Sequence, residues 1–284
     1  MGIIKAAKEN DVKLVKKFLF EAGKQNNEGK SALMHAAKNG NLELVKLLAT
    51  KEAGLRDKNG NTALMYAVKN GYIRCAEFLV PHESCKQNNE GKTALMLFMI
   101  NGNIRFDEEE NRKIHNRSAR EKKNAFIRKT KEVDLFVEFL VSYEAGLCDN
   151  DGKTALMHGA ENPRGEHLHL LIPHEKGKQD KDGNTALILG TIAYNRTDKD
   201  DYTPSGCFRC PAIYIGLGVL APHELNIKNN DNKSAFDYII KKECYDILKE
   251  EFDEEYYNKK VEQIIAEYTK FIKRVDNIEE LFKD

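Results

Sequence analysis

Cysteine and histidine pairs are the residues of this chain whose types and spacing could support metal chemistry. Cys207 and Cys210 form a Cys-x-x-Cys pair, and His167 and His169 lie two residues apart. A structural zinc site needs four ligands, and no second cysteine pair follows at a suitable spacing. Two histidines at positions i and i+2 of a helix do not share a face. We therefore expect a loop with two thiols at 207–210, no metal site and no cofactor.

Catalytic motifs are also missing from the sequence. There is no phosphate-binding P-loop, no Gly-x-Ser-x-Gly nucleophile elbow and no His-Glu-x-x-His pair. The Gly-rich loop, catalytic loop and Asp-Phe-Gly motif of protein kinases are absent as well. His82, His174 and His223 occur in three Pro-His-Glu phrases, and we expect them to contact carbonyl groups at helix ends. The sequence therefore predicts a protein that is not an enzyme.

The charge balance limits the class of partner. The chain has 45 Lys+Arg and 45 Asp+Glu residues, which excludes a strongly basic nucleic-acid binder at the level of the whole chain. No run approaches about 18 apolar residues, so no transmembrane helix is predicted. The N-terminus has no apolar signal-peptide core, and we expect a cytoplasmic protein with reduced cysteines.

A repeat of 31 residues organises the chain. The phrase Ser31-Ala32-Leu33-Met34 returns at 62, 93, 154 and 185 and, in a looser form, at 234. The intervals are 31, 31, 61, 31 and 49 residues, so one copy contains about 30 extra residues and another about 18. A period of this length indicates a stack of similar units, each of which buries its apolar face against its neighbours.

The clearest unit begins with a turn and a short helix. Thr62 can cap the helix through its hydroxyl, and apolar residues at 64, 67 and 68 follow the helical period. We expect Leu64 and the matching Leu95 to be buried between units. Gly60 precedes the cap by two residues, and the last copy has Asn232 in its place, which predicts a left-handed backbone there.

A second helix completes the unit. Gly71 can end the first helix, and apolar side chains between Ile73 and Val80 predict the next. Pro81 is expected to end this second helix.

These residues resemble the ankyrin repeat. The family pattern Gly-x-Thr-Pro-Leu-His is similar to Gly60-Asn61-Thr62-Ala63-Leu64-Met65, with Ala in place of Pro and Met in place of His. The Ala36-Ala37 pair, Gly40 and the Leu47-Leu48 pair also fit the family. The repeated Thr-Ala-Leu-Met sequence is similar to that of large protist ankyrin arrays, which occur alone or attached to NEK-type kinases. The resemblance implies an all-α ankyrin-repeat solenoid, with helix-turn-helix units and β-turn tips.

The repeat spacing divides the chain into an array and a tail. We predict an ankyrin array over 1–252, with about seven units, atypical caps at both ends, and inserts at about 103–132 and 191–213. Apolar residues three and four apart predict a C-terminal amphipathic helix over 253–284. We expect this helix to cover the last repeat of a monomer. A coiled-coil dimer is the alternative.

The insert at 103–132 is strongly basic. Its second part, over 112–131, contains Glu121 as the one acidic residue and nine basic residues: Arg112, Lys113, Arg117, Arg120, Lys122, Lys123, Arg128, Lys129 and Lys131. Two interpretations are a solvated helical extension and a patch for an acidic partner such as a tubulin tail. Nucleic acid is the weaker alternative, because no aromatic residues are interleaved for base stacking.

Binding is the function that remains. In an ankyrin stack the turn tips and first helices line a concave groove, and the position after the methionine should point into it. These positions vary while their neighbours repeat: His35, Tyr66, Leu97, His158, Leu189 and Tyr238. We therefore predict a non-enzymatic protein-binding scaffold. The alternatives are a cytoskeleton-associated protein, anchored by the basic insert or the C-terminal helix, and a regulatory subunit for an enzyme supplied in trans.

Overall fold

The computed structural model describes residues 2–101, 119–162, 167–196, 218 and 220–238. Within these ranges all regular secondary structure is helical. The α-helices are α1 (Ile3–Lys8), α2 (Val12–Lys17), α3 (Ala32–Asn39), α4 (Leu42–Glu52), α5 (Ala63–Lys69), α6 (Ile73–Glu83), α7 (Ala94–Asn101), α8 (Ala119–Glu144), α9 (Ala155–Glu161), α10 (Leu168–Glu175) and α11 (Ala186–Arg196). Two 3-10 helices span Leu19–Glu21 and Ala235–Tyr238, and residues 220–224 are also helical.

The helices form two layers. The inner layer contains α1, α3, α5, α7, α9 and α11, which pack side by side in chain order. The outer layer contains α2, α4, α6, α8 and α10, which also pack in chain order. Each inner helix and the outer helix that follows it belong to one unit, and we number the units 1 to 6 by their inner helices. The 3-10 helix Ala235–Tyr238 packs on α11 and continues the inner layer.

Small and branched apolar residues of the inner helices form the core. Leu64 and Leu95 are fully buried, as predicted, and the matching leucines of the other units are equally enclosed. The Thr62 hydroxyl accepts a hydrogen bond from the Met65 amide at 3.5 Å, which confirms its role as the cap of α5. The repeated Ser/Thr-Ala-Leu phrase therefore starts each helix and fills the space between neighbouring units.

The predicted left-handed position is also confirmed. Gly60 has a φ of 78°, and Asn232, which replaces glycine in the last copy, has a φ of 62°. A Cβ atom at Gly60 would lie 2.7 Å from the backbone nitrogen of Asn89. Glycine therefore serves both the turn and the close packing of successive hairpin tips.

The outer helices end later than predicted. Pro81 does not stop α6, which continues to Glu83, and Pro173 lies inside α10 in the same way. Proline in the last turn removes a single N–H donor, and the Ser84 amide still bonds to the Val80 carbonyl at 3.0 Å. Glu83 is therefore the last residue of α6, and its side chain accepts backbone hydrogen bonds that are described below.

The two predicted inserts overlap with helices. α8 begins at Ala119, so residues 119–132 form the first half of the outer helix of unit 4. α11 extends to Arg196 and so includes the start of the range 191–213. Cys207, Cys210 and the predicted C-terminal helix over 253–284 lie outside the described residues. Among the helices that the structure describes, none is long and apolar enough to cross a membrane.

Candidate protein-binding surface

The hairpin tips between units are built by polar side chains. The Asp57 Oδ1 atom accepts hydrogen bonds from the backbone amides of Asn59 and Asn61 at 2.9 and 2.7 Å. The Asn89 amide donates to the Asn59 carbonyl at 2.9 Å, and the Asn89 side chain donates to the Lys58 carbonyl at 2.9 Å. Successive tips are therefore joined to one another, and they form a continuous rigid edge beside the inner helices.

Three members of the predicted concave row bond back to these tips. The Tyr66 hydroxyl donates to Asp57 Oδ2 at 2.6 Å. His158 Nε2 lies 2.8 Å from Asp149 Oδ2, and the Asn229 amide donates to the Tyr238 hydroxyl at 2.7 Å. In each case the partner lies nine residues earlier in the chain. These three side chains therefore face the tips and help to hold them in place.

The other members of the row differ in burial. Leu97, His158 and Leu189 are each less than a tenth exposed. They offer little surface to a partner, and their identification as contact residues stays a prediction. His35 is half-buried, and its Nε2 atom is buried without a hydrogen-bond partner. The asparagine nine residues before it, Asn26, uses its side-chain oxygen to accept the Glu28 and Lys30 amides.

Another row on the tip-facing side of the inner helices lies three residues beyond the predicted row on α3, α5, α7 and α9, and at the equivalent position of α1. We define this set as the groove row: Lys8, Lys38, Lys69, Ile100 and Glu161. In unit 5, Glu161 pairs with Lys153 of the hairpin tip at 2.7 Å, which shows that this position also faces the tips. Lys8, Lys38, Lys69 and Ile100 are exposed. Sequence reasoning missed this row, although its change from lysine to isoleucine and glutamate is a visible signal.

A buried glutamate joins each unit to the one before it. Glu83, at the end of α6, accepts the Leu64 amide at 2.6 Å and the Gly54 amide at 2.8 Å. Leu64 belongs to the same unit as Glu83, whereas Gly54 ends the preceding unit. A glutamate with the same two backbone bonds recurs at the ends of α4, α8 and α10 and at the end of the helical residues 220–224. We call this set the glutamate ladder: Glu52, Glu83, Glu144, Glu175 and Glu224.

The glutamate ladder has a signal in the sequence, in two recurring phrases. The phrase Pro-His-Glu occurs three times, and Glu-Ala-Gly occurs at 52–54 and 144–146. Sequence reasoning singled out only the histidine, as a contact for carbonyl groups at the helix end. Glu83 is 2% exposed, whereas His82 is exposed. Glutamate is the one residue that both phrases share, and in the units without inserts it follows the buried leucine by 19 residues.

Burial dominates the ionisation of two ladder residues. It raises the pKa of Glu144 above its usual value, against the opposing effect of hydrogen bonds from Leu95, Thr93 and Cys85. Burial raises the pKa of Glu224 in the same way, and the bonds from Gly177, Leu187 and Thr185 again act against it. These carboxylates are structural, because backbone amides occupy their oxygens.

Replacing His158 with leucine should make the protein less sensitive to mild acid. Burial lowers the pKa of His158 below 6.5, although the hydrogen bond to Asp149 acts in the opposite direction. The neutral ring therefore stabilises the fold above about pH 6.5, and this contribution is lost as the pH falls through the lowered pKa. Units 4 and 6 carry Leu97 and Leu189 at this position, so leucine fits the site.

Urea unfolding at about pH 7.5 and about pH 5.5 measures the effect. We expect the wild-type chain to lose more stability between the two pH values than the His158→Leu variant. The pKa values of Glu144 and Glu224 are raised in the folded state, so their contribution to the unfolding free energy falls as the pH rises. This contribution is the same in the wild type and the variant, and it cancels in the comparison. An equal loss of unfolding free energy in the wild type and the variant would contradict the role of His158 in acid sensitivity.

The predicted basic patch lies partly outside the described residues. Arg112, Lys113 and Arg117 are outside them, and the positions of Arg120, Lys122, Lys123, Arg128 and Lys129 lie within α8. Lys131 is exposed on the same helix. The patch as a binding site stays a prediction. In the part of the chain that the structure covers, no group of three or more histidine, cysteine or acidic residues could hold a metal ion.

Comparison with known proteins identifies the repeats. Residues 3–90 match the family model for ankyrin repeats, in three copies. The comparison with curated proteins finds no match. Among solved structures, the ankyrin repeat domain of Bcl-3, a member of the IkappaB protein family, aligns with a TM-score of 0.60 and 18% identity. The alignment covers 88% of this chain and 98% of that one. The chain therefore folds as an all-α ankyrin-repeat solenoid.

Proposed function

We propose that this chain is a non-enzymatic protein-binding module that contacts its partner through the concave surface. The observation that carries the proposal is the groove row. Its members at Lys38, Lys69 and Ile100 are exposed beside a rigid edge of hairpin tips, whereas the neighbouring position is used in packing or in bonds to the tips. Repeat solenoids use such extended concave surfaces for binding, and ankyrin repeats in general mediate protein–protein interaction.

The construction of the stack supports this proposal. The glutamate ladder and the tip-to-tip hydrogen bonds fix successive units relative to one another. A surface that is rigid before binding loses little conformational entropy when a partner arrives. The ladder carboxylates and the side chains that bond to the tips are occupied by structural bonds, so we assign recognition to the exposed side chains of the groove row.

Site-specific photo-crosslinking tests the proposal. Benzoylphenylalanine is placed at Ile100 in the groove or, as a matched control, at the exposed Lys51 on the outer helix α4. After illumination in native lysate, we expect a discrete protein adduct from position 100 and none from position 51. Adducts from position 51 alone would place the partner on the outer layer and contradict the proposal.

Finer assignments stay predictions. Cytoskeletal anchoring was assigned to the basic insert or to the helix over 253–284, and residues 102–118 and 239–284 lie outside the described part. Control of an enzyme supplied in trans, cytoplasmic localisation and a monomeric state also stay predictions.

A further inference from the structure

Three lysines occupy equivalent positions in the first three inner helices. Lys8, Lys38 and Lys69 are exposed, and none of them forms an ion pair with another residue in the described part of the chain. Burial of the ring is the largest cause of the lowered pKa of His35, and the charges of Lys30, Lys8 and Lys38 lie close enough to lower it further. These three charges form a positive row along the groove of units 1 to 3.

The carboxylates nearest to this row are already engaged. Glu9 pairs with Lys5 at 3.8 Å, and Glu28 pairs with Lys30 at 2.7 Å. Glu90 pairs with Lys92 at 2.6 Å on the tip between units 3 and 4. Because these carboxylates are paired locally, they do not neutralise the three lysines of the groove row.

An open cavity adjoins the first end of the row. It has a volume of about 920 Å³ and is lined by Lys5, Lys8, Lys24 and His35, with Glu9, Glu21 and Glu28 also on its wall. The Glu21 carboxylate is held by the Ile3 amide at 2.9 Å and by Lys24 at 3.0 Å. The cavity therefore offers space for a carboxylate beside lysine side chains.

The character of the row changes at unit 4. Ile100 is the next member and is 37% exposed, and Glu161 of unit 5 is neutralised by Lys153. Positive charge therefore ends after unit 3, and an apolar contact follows it. A segment that matches this order carries acidic residues first and an apolar residue next.

We propose that the concave surface of units 1 to 4 binds an extended acidic peptide segment of a protein partner. Its carboxylates pair with Lys8, Lys38 and Lys69, and its apolar side chain contacts Ile100. The inference rests on the proposed function and names the chemistry of the partner at the same surface.

The geometry of the stack defines the spacing of the acidic residues. Neighbouring packed helices lie about 8–10 Å apart, so lysines at equivalent positions recur at about that interval. A polyproline II segment advances about 3.1 Å per residue and returns to the same face every three residues. Acidic residues at every third position, followed three residues later by an apolar one, therefore match the row.

Fluorescence anisotropy with the full chain tests this inference. The probe is a fluorescein-labelled peptide with glutamate at three successive third positions and leucine at the next. The Lys38→Glu, Lys69→Glu double variant should bind it about tenfold more weakly, because two surface ion pairs are replaced by repulsions. The matched control is Lys13→Glu, Lys51→Glu, which reverses two exposed lysines of outer helices and should stay within about twofold of the wild type.

Circular dichroism verifies that both variants keep their helical content. A permuted peptide with contiguous glutamates should bind several-fold more weakly than the spaced probe. Equal weakening by both double variants, or equal binding of both peptides, would overturn the inference. Tighter binding of a polyuridine RNA than of the peptide would overturn it in favour of nucleic acid. A crosslinked adduct at Ile100 that persists in either case shows that the proposed function stands without the acidic segment.

Discussion

The Glu83→Leu variant should lose about 2–6 kcal/mol of unfolding free energy. The Glu83 carboxylate accepts two backbone amides, from Leu64 at 2.6 Å and from Gly54 at 2.8 Å. Leucine has a similar size but no acceptor, so both amides would lose their partner. An unsatisfied buried donor costs about 1–3 kcal/mol, and two such donors are created. Urea denaturation followed by circular dichroism measures the loss.

The same substitution at an exposed position supplies the control. Glu138 lies on the outer helix α8 and is exposed, so Glu138→Leu should change the unfolding free energy by no more than about 0.5 kcal/mol. A second variant, Glu83→Gln, keeps one acceptor oxygen and should lose less than Glu83→Leu. If Glu83→Leu were as stable as the wild type, the glutamate ladder would not join the units.

The Leu64→Ala variant should lose about 2–5 kcal/mol, the usual cost of truncating an enclosed leucine. Leu64 has no exposed surface, and it follows the cap of α5 between the inner helices of units 2 and 4. The rigid tips and the two helical layers leave little freedom for the cavity to collapse. The midpoint of urea denaturation should fall, with an unchanged slope if unfolding stays two-state.

A leucine on the outer layer is the control for this cavity. Leu135 on α8 is 65% exposed, and Leu135→Ala should change stability by no more than about 0.5 kcal/mol. A midpoint for Leu64→Ala that equals the wild-type value would contradict the packing of the units. Equal losses of unfolding free energy for Leu64→Ala and Leu135→Ala would also contradict this packing, because a core leucine and a surface leucine should differ.

Much of the fold could be predicted because its determinants are local and repeat along the chain. Thr62 caps its helix, Leu64 is buried, and Gly60 and Asn232 adopt the same left-handed turn. Each of these features depends on backbone conformation or apolar burial within one unit. The cap, turn and buried leucine recur in five copies of the phrase, with a looser sixth copy, so each copy independently predicts the same local structure.

The remaining features depend on contacts between units or on distances along a helix. Pro81 was expected to end α6, but a proline in the last turn removes only one donor, so the helix continues to Glu83. The carboxylate of Glu83 finds its amides 19 and 29 residues away, and no local pattern indicates such partners. Its burial could be inferred only by treating glutamate as a repeated structural residue.

The candidate site shows the same limit. Tyr66 and His158 of the predicted row face the hairpin tips, and the role of the row in binding stays a prediction. The sequence could not show that these side chains would bond to Asp57 and Asp149. The exposed positions lie three residues later on the helix, about 60° around its axis, and include Lys69.

Hydrogen–deuterium exchange tests the central claim that the partner occupies the concave surface. The chain is measured alone and in a non-crosslinked complex with the partner that crosslinking at position 100 identifies. We expect slower exchange on binding in the tips at 26–30, 57–61 and 88–92 and in α3, α5 and α7, with α4 and α6 unchanged. Protection of α4 and α6, with no change at the tips, would contradict the account.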